Sequence, residues 1–272
     1  MIMIVASTID VASMNIAKQI QILYDFEKTT QPFHENPIYA KNIEDKEVKL
    51  VFLNEDLIHA QHITNHFTPQ LLIFASRHAS ESGIPTLSVH TPGNLDKAEK
   101  GGVPRKISIS PASAMKNALQ EMAQLKEEKK LDYKVSYECT HHGPSLDVPT
   151  MFAELGSQPE QWKDTKAAEI VAHSIMKAAT TSKTYPTALG VGGPHYNETF
   201  TKIALTSSTA FGHIIPKYAV AQAIQNEMLK PCIERTVEKV SSVILDWKGI
   251  KGEDKKKLME QLRILNIPIE KA

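Results

Sequence analysis

Short apolar runs rich in β-branched residues recur along the chain at Ile2–Ala6, Val48–Leu53, Leu71–Ala75, Thr86–His90, Lys134–Cys139, Met151–Leu155, Ala188–Val191 and Val237–Ile244, and each predicts a strand. Apolar positions at helical spacing predict helices over Val11–Tyr24, Ala112–Glu128, Glu160–Ala179, Lys217–Met228 and Asp254–Leu265. The alternation of the two patterns predicts an α/β fold: a mixed central sheet flanked by helices, in a single domain over residues 1–272. Asp10 is placed to cap the first helix. Ser110 before Pro111 offers a second capping hydroxyl beside a proline at the first helical position. His173 falls at the edge of the buried stripe of its helix and reads as structural. Residues 248–272 alternate Lys255-Lys256-Lys257 with Leu258, Leu262 and Leu265, the pattern of an amphipathic helix lying on the body with its lysines in solvent.

Composition narrows the class. A chain of 272 residues that is 42% hydrophobic can bury a large core. Its longest apolar runs fall far short of the roughly 20 residues a membrane-spanning helix requires. The N-terminus, Met1 to Ser7, lacks a basic leader and reads as a first core strand, so a cytoplasmic protein is expected. Cys139 and Cys232 lack the spacing of a disulfide framework or a thiolate zinc knuckle. Thirty-one basic residues balance thirty-one acidic ones, which excludes nucleic-acid binding by overall charge and leaves only a local patch. The longest expected loop, Thr91 to Lys106, carries Lys97, Lys100, Arg105 and Lys106.

Candidate chemistry gathers where strands give way to loops. Ser76-Arg77-His78-Ala79-Ser80-Glu81 follows one apolar strand and supplies a guanidinium, an imidazole, a carboxylate and hydroxyls. His90 ends the next strand, before Thr91-Pro92-Gly93-Asn94. In Glu138-Cys139-Thr140-His141-His142-Gly143-Pro144, an extended chain would set Glu138, Thr140 and His142 on one face and Cys139 and His141 on the other. That geometry favours His142 as the acting histidine with Glu138 as partner, and keeps His141 as the alternative. In Gly192-Gly193-Pro194-His195-Tyr196 the glycines can present amides to an oxyanion, although no Walker or dinucleotide fingerprint is present. Phe211-Gly212-His213 leads to Lys217-Tyr218 at a helix start. Zinc takes three or four such ligands, and His78, His90, His141, His142, His195 and His213 with Glu81 and Glu138 suffice in number. No His-Glu-x-x-His helix occurs, so spacing alone does not establish a metal.

Taken in order, Ser76-Arg77-His78 through Ser82-Gly83-Ile84-Pro85-Thr86, His90 to Asn94, Glu138-x-Thr140-His141-His142-Gly143-Pro144, Glu154-Leu155-Gly156-Ser157 with Trp162, Gly192-Gly193-Pro194-His195-Tyr196 and Gly212-His213-Ile214-Ile215-Pro216-Lys217-Tyr218 resemble the archaeal and plant type of D-aminoacyl-tRNA deacylase. One departure lies at Pro194, which stands between the glycines and His195 where the family pattern reads Gly-Gly-His-Tyr. The resemblance implies a phosphorylase/peptidyl-tRNA hydrolase-like fold, zinc dependence, and hydrolysis of the ester between a D-amino acid and tRNA, with tRNA the partner and no obligate protein partner. The resulting expectations are His142, Glu138, His141 and Glu81 in catalysis; Arg77, Ser80, Gly192, Gly193, Tyr196 and Lys217 in substrate binding; and His78, His90, His195 and His213 as zinc ligands. Two alternatives stay open: a nucleoside phosphorylase-like or zinc peptidase enzyme on the same fold, and a non-catalytic tRNA-binding protein with structural zinc.

Overall fold

The computed structural model describes residues 1–272. Twelve strands form two sheets. The first contains β1 (Ile2–Ser7), β2 (Glu27–Phe33), β3 (Asn36–Ile43), β4 (Lys46–Leu53), β5 (Leu71–Arg77), β6 (Thr86–His90), β7 (Lys134–Tyr137) and β8 (Thr150–Gly156), in the order β2-β3-β4-β1-β5-β8-β6-β7. The second contains β9 (Thr187–Gly192), β10 (Ala210–Ile215), β11 (Val240–Asp246) and β12 (Ile269–Lys271), all parallel, in the order β10-β9-β11-β12. The large sheet is the expected mixed central sheet, and the later strands add a second, parallel sheet beside it. Helices α1 (Val11–Tyr24), α2 (Ala112–Glu128), α3 (Pro159–Trp162), α4 (Thr165–Thr180), α5 (Glu198–Thr206), α6 (Val220–Gln225), α7 (Leu229–Glu234) and α8 (Gly252–Ile264) complete the chain. No helix is long and apolar enough to cross a membrane.

The period-two alternation of side chains explains how both faces of the large sheet become buried. Ile2, Ile4 and Ala6 join one apolar cluster with α1, α2 and α4, whereas Met3 and Val5 join another on the opposite face. Strands β5 and β8 divide in the same way, with Ile73 and Ala153 on the helical side and Phe74 and Phe152 on the other. Ala188, Phe211, Ile214 and Ile244 of the second sheet enter the helical-side cluster, so the two sheets share one core. The far face of the second sheet is covered by α6, α7 and α8, which bury Leu245, Leu258 and Leu262. Within the C-terminal segment, then, α8 is the predicted amphipathic helix, and the chain continues into β12 beside β11.

Local chemistry sets several boundaries. The Asp10 carboxylate accepts hydrogen bonds from the amides of Ala12 (2.9 Å) and Ser13 (3.1 Å), as expected of a cap. Ser110 does not cap α2, because its hydroxyl accepts from Thr91 at 2.8 Å; the Glu238 carboxylate reaches the helix start instead, accepting from the amides of Ala112 and Ser113. The expected helix over Glu160–Ala179 is broken at Asp164, whose side chain caps α4 through the amides of Lys166 and Ala167. The expected Lys217–Met228 helix likewise shortens to a 3-10 turn over Lys217–Ala219 followed by α6.

Lys116, on α2, is fully buried, and its ammonium donates to the carbonyls of Ala204 (2.8 Å), Ser207 (2.7 Å) and Thr209 (2.8 Å), closing the end of α5 against the entry to β10. Three orphaned carbonyls cost more than one lost side chain, so Lys116→Met is expected to destabilise the fold by about 3 kcal/mol. Urea denaturation of the variant measures this, and an unchanged midpoint would show that the ammonium contributes nothing net.

Candidate active site

Strand register assembles the polar residues on one face of the large sheet. Strand β8 runs parallel to β5 and antiparallel to β6, setting Ser76 and Ser88 beside Glu154, and His90 beside Phe152. Two residues beyond Ser76 is His78, and two beyond Ser136 is Glu138, so both fall on that same face. The site therefore spreads across a face rather than along a row of strand carboxyl ends, because the sense of the sheet reverses between β8 and β6.

From Tyr137 the chain leaves β7 and crosses to the second sheet. Its amides donate in turn to Val89 (Glu138, 3.0 Å), His195 (Cys139, 3.0 Å) and Ile214 (Thr140, 2.9 Å). Regular alternation ends there, which corrects the expected placement of Glu138, Thr140 and His142 on one face. Thr140 turns away to His213, and a backbone with φ +40° at His142 brings both adjacent histidines into the same site. Gly143 is the residue that lets the turn close, since a Cβ there would lie 2.2 Å from the Gly102 amide nitrogen in the Thr91–Lys106 loop.

At the centre lies Glu138, 2% exposed. His195 Nε2 donates to its Oε2 at 2.8 Å, His141 Nε2 lies 3.6 Å from the same oxygen, and His78 Nδ1 lies 3.1 Å from Oε1. The His78 contact is out of line for a hydrogen bond to Glu138; the bond from Nδ1 goes to Glu154 Oε2 at 3.3 Å. Burial opposes the charge on Glu138, but His78 and His195 outweigh it and hold its carboxyl well below the usual range. Burial likewise disfavours a charged His78 and His195, yet Glu138 and Glu154 raise the first to about 11, while Cys139 and Glu138 raise the second to about 10. Burial pushes Glu154 up to about 7 although His78 bonds its carboxylate, and the neighbouring charge of Glu138 adds to the rise.

His90, His141 and His142 form a second, neutral group. Burial drives all three down, His142 to about 4, with the histidines opposing one another's charge. His141 Nδ1 donates to the Cys139 carbonyl at 2.8 Å and His142 Nδ1 to the Gly143 carbonyl at 2.6 Å, leaving the lone pair of each neutral ring on Nε2. One ligand atom from each of the three rings lies within 4.8 Å of the others, and His142 Nε2 is 3.3 Å from His90 Nε2. His90 stacks on Phe152 at 5.1 Å, and its Nδ1 is buried without a partner. Three neutral imidazoles, two of them with the outer nitrogen fixed by a carbonyl, are a donor set suited to zinc.

The remaining expected residues fall into distinct places. Arg77 pairs with Asp56 at 3.0 Å, Ser80 bonds Ser82, and Glu81 is exposed; all three line a cavity of about 710 Å³ but stand apart from the buried cluster. Tyr196 meets His78 Nε2 through its hydroxyl at 2.7 Å. Gly192 and Gly193, at φ +107° and +74°, shape the turn against Asp246 and Asn197 and do not face the cavities, so they carry His195 rather than offer an oxyanion pocket. Lys217 is exposed and its amide bonds Gly193; its neighbour Tyr218 enters the site instead. His213 is no free ligand, because it is fully buried with Nδ1 accepting from Thr140 (3.0 Å) and Nε2 donating to the Arg235 carbonyl (3.1 Å). Glu154, Cys139 and Tyr218 were missed as site residues. The Cys139 sulfur lies 3.2 Å from His195 Nδ1 and 3.4 Å from the Tyr218 hydroxyl. Glu154 and Tyr218 lie within resemblance blocks and Cys139 within the Glu138–Pro144 cluster, but no sequence pattern marks a role of its own for any of the three.

A family model described as D-aminoacyl-tRNA deacylase matches residues 65–270. The chain belongs to the D-aminoacyl-tRNA deacylase family. Among curated relatives bearing that name, the protein of Pyrococcus furiosus is 38% identical over 257 residues, covering 92% of both chains. That of Methanosarcina barkeri is 35% identical over 277 residues, covering 99% of this chain and 89% of the relative. A crystal structure described as a conserved protein of unknown function superposes with a TM-score of 0.88 at 30% identity, covering 100% of this chain and 95% of its own. Every expected site residue, from Arg77 to Lys217, lies inside the stretch that the deacylase family model matches.

His213 gives the fold an acid limit. Burial lowers its pKa from 6.5 to about 4, so between those values the unfolded chain binds the extra proton; the contribution is complete above pH 6.5 and is lost as pH falls toward 4. The wild type is therefore expected to lose about 3 kcal/mol more than His213→Asn between pH 7 and pH 4. Urea midpoints across that range measure the difference, and parallel losses in both proteins would remove His213 from the acid-sensitive groups.

Proposed function

We propose that this protein hydrolyses the ester joining a D-amino acid to the 3′ end of tRNA, releasing the free amino acid and tRNA. Membership of the deacylase family carries the reading. A polar cluster of histidines and carboxylates, open to two cavities, supports a hydrolytic site. Two unpaired buried thiols suit a reducing compartment such as the cytoplasm.

His90, His141 and His142 are the residues that would hold a zinc ion, in place of the set first drawn from His78, His90, His195 and His213. When bound, the ion supplies Lewis acidity toward an ester carbonyl and toward water. His78 and His195, kept protonated by the carboxylates, are proton donors facing the cavity. Glu138 holds those two imidazoles in place, and Glu154, with a pKa of about 7, can accept or release a proton at neutral pH. Tyr196 fixes the outer nitrogen of His78 and thereby the ring's orientation. An aminoacyl ester is already activated, so a modest acceleration is enough.

Incubating the pure protein with matched D- and L-aminoacyl-tRNA, with and without chelator, tests this reading. Release of the D-amino acid alone, silenced by chelator with the fold intact, is the expected result; equal cleavage of both hands, or of neither, would defeat it. His142→Ala is expected to abolish deacylation and lower the zinc content, while Glu138→Gln reduces turnover about a hundred- to ten-thousandfold. A folded His142→Ala protein with normal zinc and normal turnover would remove His142 from the site.

A further inference from the structure

Two cavities meet at the histidine cluster and differ in character. The larger, about 710 Å³, is lined by five carboxylates (Asp10, Asp56, Glu81, Glu138 and Glu154) against Arg77, Lys100, His78 and His195 as cationic groups. The smaller, about 580 Å³, runs between the Gly93–Lys100 loop and the Pro216–Gln222 segment. His141, His142, His195 and Lys100 line both. Tyr218 stands in the smaller cavity 57% exposed, although its hydroxyl is pinned 3.0 Å from His195 Nδ1. Gln222 is exposed beside it, as are Lys97 and Lys100, neither of which is in an ion pair. Glu99 and Asp96 balance those lysines in number, but the Asp96 carboxylate is held by Asn226 at 3.1 Å.

A held but exposed aromatic ring with an amide and free ammonium groups around it is the chemistry that receives an unpaired base and its phosphate. A cavity that presents several carboxylates, Glu81 among them exposed and outside any ion pair, suits an α-ammonium group. The bond linking a nucleoside to an aminoacyl group must then lie at the seam, where the shared histidines are. Resting on the deacylase reading, we infer that the terminal adenosine of tRNA enters the smaller cavity and stacks on Tyr218, while the ammonium-bearing aminoacyl group enters the larger one. Tyr218 is thus a binding residue for the nucleotide, and the ester crosses between the two cavities over His141, His142 and His195.

Adenosine 5′-monophosphate is the probe, titrated calorimetrically into the full chain, with parallel kinetics on D-aminoacyl-tRNA. It is expected to bind the wild type, to bind about tenfold more weakly to folded Tyr218→Leu, and to keep its affinity in Tyr218→Phe, which retains the ring. KM for D-aminoacyl-tRNA should follow the same order, rising in the leucine variant and recovering in the phenylalanine variant. N-acetylation of the aminoacyl group, which removes the ammonium, should raise KM with either ring present. Normal deacylation with nucleotide affinity and KM unchanged in Tyr218→Leu would overturn the stacking assignment and leave the deacylase reading standing. Equal losses in the leucine and phenylalanine variants would overturn it too, since the hydroxyl alone would then matter. Ring-dependent nucleotide binding by a protein inert toward D-aminoacyl-tRNA would overturn the deacylase reading and keep Tyr218 as a base platform. Indifference to N-acetylation would overturn the placement of the aminoacyl group.

Discussion

Glu138 is the constraint around which the site is organised. A carboxylate taken out of water costs several kcal/mol unless charge and hydrogen bonds replace its hydration. Here the replacement comes from His195, in the turn that follows β9 of the second sheet, and His78, just past β5, so one buried charge ties together parts of the chain that are remote in sequence. The backbone makes the same connection, because the amides from Glu138 to Thr140 bond first the large sheet and then the small one. Charge and backbone reinforce each other, and the crossing segment is fixed where the sheets meet. His141 and His142 are carried into the site as part of that crossing.

The same charge divides the histidines. Those in contact with carboxylates through well-placed nitrogens, His78 and His195, are held protonated, whereas His90 and His142 lie beyond reach of direct pairing and burial keeps them neutral. His141 sits between, 3.6 Å from Glu138 yet crowded by His90, His142 and His195, and it too is neutral. Crowded imidazoles cannot all carry charge in a buried volume, so proton donors and lone-pair donors emerge side by side from one residue type.

Much of this was legible in the chain, and what was not has physical causes. The helices α1 and α2 and the strands β1, β4, β5 and β6 follow from periodicity because each lies in a core where burial enforces the pattern. The hairpin β2–β3 escapes the sequence pattern because β2 is mostly exposed, β3 only half-buried, and Pro32 interrupts the first strand, so no apolar alternation marks it. Split sheets were invisible because periodicity reports burial, not partners; Ala188 and Ile244 belong to the small sheet yet pack in the same core as Ile4. In the site, His78, His90, Glu138, His141, His142, His195 and Tyr196 were found as polar groups at strand ends, and the structure brings them together. His213 looked equivalent in sequence, but its Thr140 and Arg235 partners lie 73 and 22 residues away, so nothing local reveals that both nitrogens are satisfied. Glu154 lies inside a strand buried along its whole length, where a carboxylate reads as an interruption until His78 is seen beside it.

Those environments also determine how the cluster responds to pH. His78 and His195 lose their protons only at about 11 and about 10, His142 gains one only near 4, and Glu138 stays ionised well below that of an ordinary carboxylate. The charge on these four groups is therefore constant across the neutral range. Glu154, at about 7, is the member that changes, and it does so next to His78, which touches the carboxylates on one nitrogen and Tyr196 on the other. A proton gained or lost at Glu154 alters the field at His78, whose charge that carboxylate helps to hold. Ester hydrolysis at neutral pH demands a preorganised field and a group free to exchange a proton, and fixed charges beside one adjustable carboxyl are the two kinds of group this cluster contains.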